Sequence, residues 1–143
     1  MKIKLKMINH LILNGKKETG EKEFCKNFKN LQKKSRKCSN KIFQLALISS
    51  TSVFRLHKIS LKKRKKKKVQ EIPGFLRNQN NRISLALKFL LQVTKHGAYS
   101  LSKNLSTEIL LLSKSKSGNL SIKTEKQKAV LTKKHLFRYY RWR

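Results

Sequence analysis

A run of consecutive basic residues is the most distinctive chemical feature of the chain. Its members are Lys62, Lys63, Arg64, Lys65, Lys66, Lys67 and Lys68. Such side chains are positive charges on long stems, which suits them to phosphate groups but not to telling one base from another. The alternatives are a solvated loop or a basic patch of the nuclear-localisation type. Because the run lies between two predicted strands, phosphate contact is the favoured interpretation.

The end of the chain interleaves arginines with aromatic residues. Arg138, Arg141 and Arg143 match phosphate geometry, and the aromatic residues between them, Trp142 among them, can stack on unpaired bases or on an arginine plane. Alternatively, Phe137 and Trp142 belong to the core of the last helix. We expect a split, with Phe137 buried and the arginines on nucleic-acid phosphates.

Several other basic residues are candidates for phosphate contact. Lys16 and Lys17 follow a predicted helix end, where cations also complement the helix dipole. The amide-rich segment 78–81 lies between Arg77 and Arg82, and at least one of its amides is expected to cap a helix. Lys2 and Lys4 complete the set of residues predicted to bind nucleic acid.

The overall charge excludes most enzymatic chemistry. The 143 residues include 37 Lys or Arg but only 6 Asp or Glu, which gives a net charge of +31. All six acids are glutamates, so no Asp is available for a catalytic triad, and a carboxylate-rich metal site is excluded. A chain of this charge is suited to a polyanionic partner. We therefore expect no enzyme activity and no cofactor.

Neither a metal site nor a membrane span is indicated. Cys25 and Cys38 are too few for a disulfide scaffold, and the four histidines lie far apart, so free or buried thiols are expected. No apolar run approaches the roughly 20 residues of a membrane span, and the first residues lack a signal-peptide core. The excess of Lys, Asn and Ile is typical of an A+T-rich or organelle genome.

Apolar periodicity predicts helices on both sides of an extended segment. Residues 3–13 form a first helix that ends at Asn14-Gly15, Thr19 caps a second, and Ser39 caps a third. Alternation over 53–61 and the segment 69–76 predict a β-ribbon. Three more helices are expected: residues 82–95, one from Ser100 to near Gly118, and one that begins at the capping box Thr124–Gln127.

Four short motifs in this order resemble small-subunit ribosomal protein S7, in its mitochondrial form. They are Asn14-Gly15-Lys16-Lys17, the segment 69–74 (VQEIPG), the segment 85–91 (LALKFLL) and the segment 137–142 (FRYYRW). The resemblance covers residues from about 5 to 142. It implies a mainly α fold, a six-helix bundle in one domain over residues 1–143, with a two-stranded β-ribbon over about 53–76 protruding between the third and fourth helices.

The resemblance also implies a function. Members of the family bind the 3′ major domain of small-subunit rRNA, help to organise the head of the subunit, and direct the ribbon toward the exit-site tRNA and the mRNA path. The expected partners are therefore rRNA, neighbouring ribosomal proteins of the head, and exit-site tRNA and mRNA. The expected location is the mitochondrial small ribosomal subunit, with an organelle-encoded gene, and a plastid is the alternative.

The sequence departs from the family in three places. In the last helix it has Lys128 and Lys134 where the family often has a His and an Asn, so contacts specific to those side chains do not carry over. Only Met1 to Lys4 stand where the family commonly has a basic N-terminal arm. The ribbon tip, which in the family usually has a Gly-Gly turn, contains no glycine here. A tight turn with positive φ is therefore disfavoured, and a longer basic loop is expected.

Composition alone permits two rival functions. One is a basic protein that compacts DNA or RNA without specificity in an organelle nucleoid. The other is a cationic membrane-active protein. The division of the apolar stripes among several helices disfavours the membrane reading. Only the motif resemblance disfavours the nucleoid reading.

Overall fold

The computed structural model describes residues 2–12, 14–35, 38–63, 66–95, 97 and 99–139. For residues 2, 61–63, 66–69 and 138–139 it describes the backbone alone. Within these ranges a helical bundle carries a β-ribbon between its third and fourth helices, which confirms the predicted mainly α fold. The elements are α1 (Lys2–Leu11), α2 (Lys17–Lys34), α3 (Ser39–Ser50), β1 (Phe54–Lys63), β2 (Lys66–Phe75), α4 (Gln79–Lys95), α5 (Leu101–Ser113), α6 (Gly118–Thr132) and a 3₁₀ helix (Lys134–Tyr139).

Helix α5 is the centre of the bundle, since α2, α3 and α4 all pack against it. Its stripe of Leu105, Ile109 and Leu112 is almost completely buried. Apolar side chains from the surrounding helices complete the core, among them Met7, Leu31, Ala46, Leu87 and Leu90. Burial of this surface is the main favourable contribution to folding, because no helix of this charge would be stable alone.

The first helix ends where the sequence predicts, but the second begins earlier. Asn14 and Gly15 both adopt positive φ, at 52° and 75°, which stops α1. The prediction that Thr19 caps α2 was wrong, because α2 already begins at Lys17. The Thr19 hydroxyl lies inside the first turn and donates to the Lys16 carbonyl at 2.7 Å. Ser39 likewise is the first residue of α3, after Cys38 at the cap position.

The boundary between α5 and α6 differs from the prediction. Helix α5 ends at Ser113, and Gly118 is the first residue of α6 rather than the end of α5. The capping box at 124–127 lies inside α6, where the Thr124 hydroxyl donates to the Ser121 carbonyl at 2.8 Å. Instead, the buried carboxylate of Glu108 accepts the backbone N–H of Asn119 at 3.3 Å. An acid from α5 therefore satisfies the first turn of α6, where the helix dipole favours negative charge.

The two strands of the β-ribbon extend further toward its tip than predicted, although the ribbon lies within the predicted range of about 53–76. β1 and β2 pair antiparallel in continuous register from Phe54↔Phe75 to Lys63↔Lys66. The strands therefore continue into the basic run, and only residues 64 and 65 connect them. The expectation of a longer loop at the tip was wrong in length, because the pairing absorbs Lys62, Lys63 and residues 66–68. Arg64 and Lys65 themselves lie outside the described residues.

An aromatic cluster holds the base of the ribbon to the end of the chain. The rings of Phe54 and Phe75 lie 4.5 Å apart, centroid to centroid. Phe137 from the 3₁₀ helix packs against both, at 5.9 and 5.5 Å. Phe137 is half-buried, so it packs on the ribbon rather than in the bundle core. The ribbon thus leaves the bundle from a fixed base.

Candidate nucleic-acid interface

The outward face of α4 carries a stripe of polar and basic side chains. Asn81, Ser84, Lys88, Gln92 and Lys95 follow one another at spacings of three or four residues, so they line one face of the helix. Lys88 and Lys95 are exposed. The opposite face contributes Leu87 and Leu90 to the core.

Two depressions lie along this stripe and share Lys88. The first, of about 230 Å³, is bordered by Asn81, Ser84 and Lys88 of α4 and by Arg55 at the base of the ribbon. The second, of about 310 Å³, is bordered by Lys88, Gln92 and Lys95 and by His10 of α1. We call the surface formed by Lys6, His10, Arg55, Lys88 and Lys95 the α4 basic surface. It runs from α1 across α4 to the ribbon.

Lys6 belongs to this surface through a direct bond between α1 and α4. Its Nζ donates to Asn80 Oδ1 at 2.7 Å. Burial, and then the charges of Lys88 and Lys6, hold the pKa of His10 below its usual value. Neighbouring cations therefore already oppose a further positive charge here, as expected of a site that accepts an anion.

A third depression, of about 380 Å³, lies between the ribbon base, α4 and α6. Arg55, Lys58 and Lys126 supply its positive charge, which is partly offset by Glu71, 3.9 Å from Lys58. Lys126 Nζ lies 3.8 Å from the centroid of the Phe89 ring, a cation–π contact, and burial lowers the pKa of Lys126. Since Arg55 borders both this depression and the first, positive charge continues around the ribbon base.

Of the residues described as bordering the two depressions that share Lys88, none is a glutamate. Glu18, Glu21 and Glu23 all lie on α2, where each pairs with a lysine of the same helix at 3.1 to 3.9 Å. Glu108 is buried. Glu71 is engaged by Lys133, whose hydrogen bond and charge hold the Glu71 pKa below its usual value. Helix α2 carries six lysines against these three glutamates, so its positive charge is partly offset but not neutralised.

The structure places the predicted RNA-binding residues in different surroundings. Lys4 is exposed and lies 5.7 Å from the Phe28 ring centroid. Lys16 and Lys17 are exposed at the start of α2, with Lys17 3.8 Å from Glu21. Arg77 is exposed between the ribbon and α4, whereas Arg82 is half-buried and its Nε donates to the Leu76 carbonyl at 2.6 Å. Arg82 thus has a structural contact that sequence reasoning did not anticipate.

The remaining predicted residues are described only in part. The backbones of Lys62, Lys63, Lys66, Lys67 and Lys68 belong to the two strands, that of Lys2 to α1 and that of Arg138 to the 3₁₀ helix. Arg64, Lys65, Arg141, Trp142 and Arg143 lie outside the described residues. The expected amide cap is present, since Asn78 Oδ1 accepts the backbone N–H of Asn80 at 2.9 Å.

Sequence reasoning missed the five members of the α4 basic surface. The signal was available for α4 itself, because its polar residues recur between the apolar ones with helical period. Helix periodicity could not bring Lys6 and His10 of α1 or Arg55 of the ribbon to the same surface. That juxtaposition depends on tertiary packing.

Other kinds of site find no support in the described residues. No group of three or more His, Cys, Asp or Glu among them could hold a metal ion. Both cysteines are free and exposed. In the described part of the chain, no helix has the length and apolar character needed to cross a membrane.

A family model decides between the remaining readings. The model for ribosomal protein S7p/S5e matches residues 1–134. The chain belongs to this ribosomal protein family. The S7 family consists of structural, non-enzymatic proteins of the small ribosomal subunit that bind rRNA. A comparison with curated proteins gave no match. The resemblance inferred from short motifs is thus confirmed at the level of the family, and rRNA and ribosomal proteins are its partners.

Proposed function

We propose that this S7-family chain binds the 3′ major domain of small-subunit rRNA and helps to organise the head of a mitochondrial small subunit. The ribbon reaches from the head toward the exit-site tRNA and the mRNA path. The observation that carries the proposal is the α4 basic surface, which continues around the base of the ribbon. RNA phosphates lie along it rather than along α2, where three glutamates offset part of the positive charge.

Charge neutralisation supplies most of the affinity. A net charge of +31 opposes a compact state through self-repulsion, and a polyanion relieves that repulsion. Each neutralised phosphate releases condensed counterions, so log affinity falls against log salt with a slope of about −0.7 to −0.9 per contact. Structured rRNA is recognised mainly through its backbone and the shape of its minor groove. The depressions on either side of Lys88 suit such backbone contacts.

The ribbon presents its basic run at the end farthest from the bundle. Its register sets Lys62 opposite Lys67 and Lys63 opposite Lys66. Like charges directly opposite each other destabilise a strand pair, so phosphate groups between them stabilise the outer ribbon. At the inner end, Phe137 packs on Phe54 and Phe75. The ribbon is therefore packed against Phe137 at its base and carries basic residues suited to RNA at its tip.

The other residues predicted to contact RNA lie on α1, beside the α4 basic surface, or at the base of the ribbon. Lys2 and Lys4 lie on α1, as Lys6 and His10 do. Arg77 follows β2 at the base of the ribbon. Arg138, Arg141, Trp142 and Arg143 follow Phe137, whose ring contacts that base. We propose phosphate contacts for these arginines and stacking on an unpaired base for Trp142.

Ultraviolet crosslinking in native organelle lysate, followed by sequencing of the attached RNA, tests the proposal. We expect crosslinks concentrated in the 3′ major domain of mitochondrial small-subunit rRNA. Crosslinks to plastid rRNA would correct the location alone. Crosslinks scattered over many RNAs, or recovery mainly on DNA, would favour a nonspecific nucleoid protein. Competition at high salt supplies a second test, in which folded rRNA should displace the chain from duplex DNA.

A further inference from the structure

A depression of about 420 Å³ lies on a different part of the bundle from the α4 basic surface. Apolar side chains of three helices line it: Ile3 of α1, Leu47 and Ile48 of α3, and Ile83 of α4. Gln79 and Arg82, at the start of α4, also border it. A depression of this composition accommodates an apolar side chain rather than a phosphate.

Exposed aliphatic side chains extend this depression along α3. Ile48 is 68% exposed and Leu45 is 56% exposed. They are three residues apart, so they are neighbours on the helix surface. Isolated exposed aliphatics are ordinary, but two beside an apolar depression form a patch of the kind that marks an interaction site. We call Leu45, Ile48 and the depression the α3 patch.

The charge of the α3 patch indicates which class of macromolecule covers it. Among the described residues that line the depression, Arg82 alone is charged, and its Nε is already bonded to the Leu76 carbonyl at 2.6 Å. RNA contacts depend on exposed cations, which are abundant elsewhere on this chain. A second copy of the chain would bring another charge of +31 against the first. Both occupants are therefore disfavoured.

We infer that the α3 patch binds a protein neighbour within the small subunit, which inserts one aliphatic or aromatic side chain between α1, α3 and α4. The inserted side chain packs against Ile3, Leu47 and Ile83, and Ile48 covers it. Its flanking residues are neutral or acidic, because Arg82 borders the depression. This inference rests on the proposed function, because it takes the neighbour to be a ribosomal protein.

Site-specific photocrosslinking tests the α3 patch. A benzophenone amino acid replaces Ile48 in the tagged full-length chain, and a matched chain carries it in place of Leu131 on α6, which is 61% exposed. Small subunits that contain each chain are isolated by sedimentation and irradiated. We expect position 48 to crosslink to one ribosomal protein, identified by mass spectrometry, and position 131 not to crosslink to that protein.

Each alternative result has a distinct meaning. Crosslinks from position 48 to rRNA or to a second copy of the chain would overturn the inference and leave the proposed function intact. So would a protein crosslink no stronger than that from position 131. Failure of both tagged chains to sediment with the small subunit would overturn the proposed function, and the inference with it.

Substitution of Ile48 measures how much the patch contributes to binding. Ile48→Glu should reduce the amount of the crosslinked neighbour in purified subunits about fivefold or more, as expected for a central interface residue. Because Ile48 is exposed, the melting temperature of the free chain should not change. Leu131→Glu is the control, and its subunits should retain the neighbour. Equal retention in both variants would contradict the inference.

Discussion

Lys133 Nζ lies 2.6 Å from Glu71 Oε2 and so joins the end of α6 to the second strand of the ribbon. Lys58, directly across the ribbon from Glu71, lies 3.9 Å from the other carboxylate oxygen. Glu71 is one of only six acidic residues in the chain. It faces one lysine of the neighbouring strand and one lysine that follows α6. Together with the aromatic cluster, the pair fixes the direction in which the arm leaves the bundle.

Loss of the Glu71–Lys133 pair should loosen the ribbon base without unfolding the bundle. In Glu71→Gln, the amide keeps the shape of the side chain but loses the charge that Lys133 and Lys58 face. We expect faster hydrogen exchange at the backbone amides of residues 54–58, 71, 72, 74 and 75 and unchanged exchange in α5. Glu125→Gln, which removes an exposed acid of α6, is the control. Equal exchange at the ribbon base in both variants would show that the pair does not anchor the arm.

Removal of Phe137 should destabilise the same region by a measurable amount. Truncation of a fully buried Phe costs about 3–5 kcal/mol, and Phe137 is half-buried. Phe137→Ala should therefore lower the free energy of unfolding by about 1–3 kcal/mol. Denaturant unfolding, with enough salt to screen the net charge, measures this. Leu131→Ala, at an exposed position, should stay within about 0.5 kcal/mol of the wild type. A similar small change in Phe137→Ala would mean that the C-terminal segment does not support the ribbon.

Much of this architecture is predictable from local patterns. Apolar spacing predicts the helices, and alternation predicts the ribbon, because both signals arise from the periodicity of a single element. The error at the start of α6 occurs because a residue distant in sequence, rather than a local capping residue, satisfies the first turn of the helix. Glu108 of α5 satisfies the first turn of α6, so the helix begins six residues before the capping box that the sequence offers. No local pattern contains that contact.

The candidate site shows the same limit. The basic run and the amide cap at Asn78 are local features, and the sequence is sufficient to identify them. The α4 basic surface combines residues from α1, β1 and α4, which only the packing of the bundle brings together. The prediction for the ribbon tip was wrong for a different reason. The absence of glycine argued against a short connection, yet the strand register extends to Lys63 and Lys66.

Neutralising the α4 basic surface should reduce the salt dependence of RNA binding. Lys88→Gln with Lys95→Gln removes two exposed charges from the stripe. If both contact phosphates, the slope of log affinity against log salt should become shallower by about 0.7 to 0.9 for each. The matched control is Lys22→Gln with Lys26→Gln, which removes the same charge from α2, where each lysine faces a glutamate. Filter binding to the 3′ major domain over a salt series distinguishes them. Equal slopes in the two double variants would move the RNA contact away from α4.

The free protein should lose stability as the pH falls through the titration of His10. Burial and the charges of Lys88 and Lys6 hold its folded-state pKa below the usual 6.5. The unfolded chain therefore takes up a proton first, so the free energy of unfolding decreases as the pH falls through 6.5 and levels off below the folded pKa. In His10→Gln this part of the decrease should disappear. Melting temperatures from pH 7.5 to pH 5 measure it, and parallel profiles for the two proteins would contradict the assignment.

RNA binding should raise the pKa of His10, so a lower pH should favour the complex although it destabilises the free protein. Phosphates on the α4 basic surface offset the charges of Lys6 and Lys88, so they raise the pKa of His10 in the complex relative to the free protein. Binding then takes up a proton, and affinity for the 3′ major domain should increase as the pH falls from 7.5 to 5.5. His10→Gln should show a weaker increase. The same pH dependence in both proteins would mean that no phosphate approaches His10.

Loss of the basic run in the ribbon should weaken tRNA binding or subunit association more than it impairs assembly of the small subunit. Replacement of residues 62–68 by neutral polar residues removes the charge at the far end of the arm and leaves the α4 basic surface unchanged. We expect normal incorporation into the subunit head, measured by sedimentation, together with weaker binding of exit-site tRNA or weaker subunit association. The strands should remain paired, because the substitution also removes the like-charged pairs Lys62↔Lys67 and Lys63↔Lys66.

A variant of α2 with five lysines replaced, against seven basic residues in the ribbon variant, tests whether position rather than loss of charge explains the result. Replacement of Lys22, Lys26, Lys29, Lys33 and Lys34 by Gln removes charge from the exposed side of α2 and should leave tRNA binding unchanged. If the ribbon variant instead fails to enter the subunit while the α2 variant enters normally, the run is needed for assembly itself. The ribbon would then be a primary rRNA contact. The proposal that the bundle serves assembly while the ribbon serves tRNA binding or subunit association would be wrong.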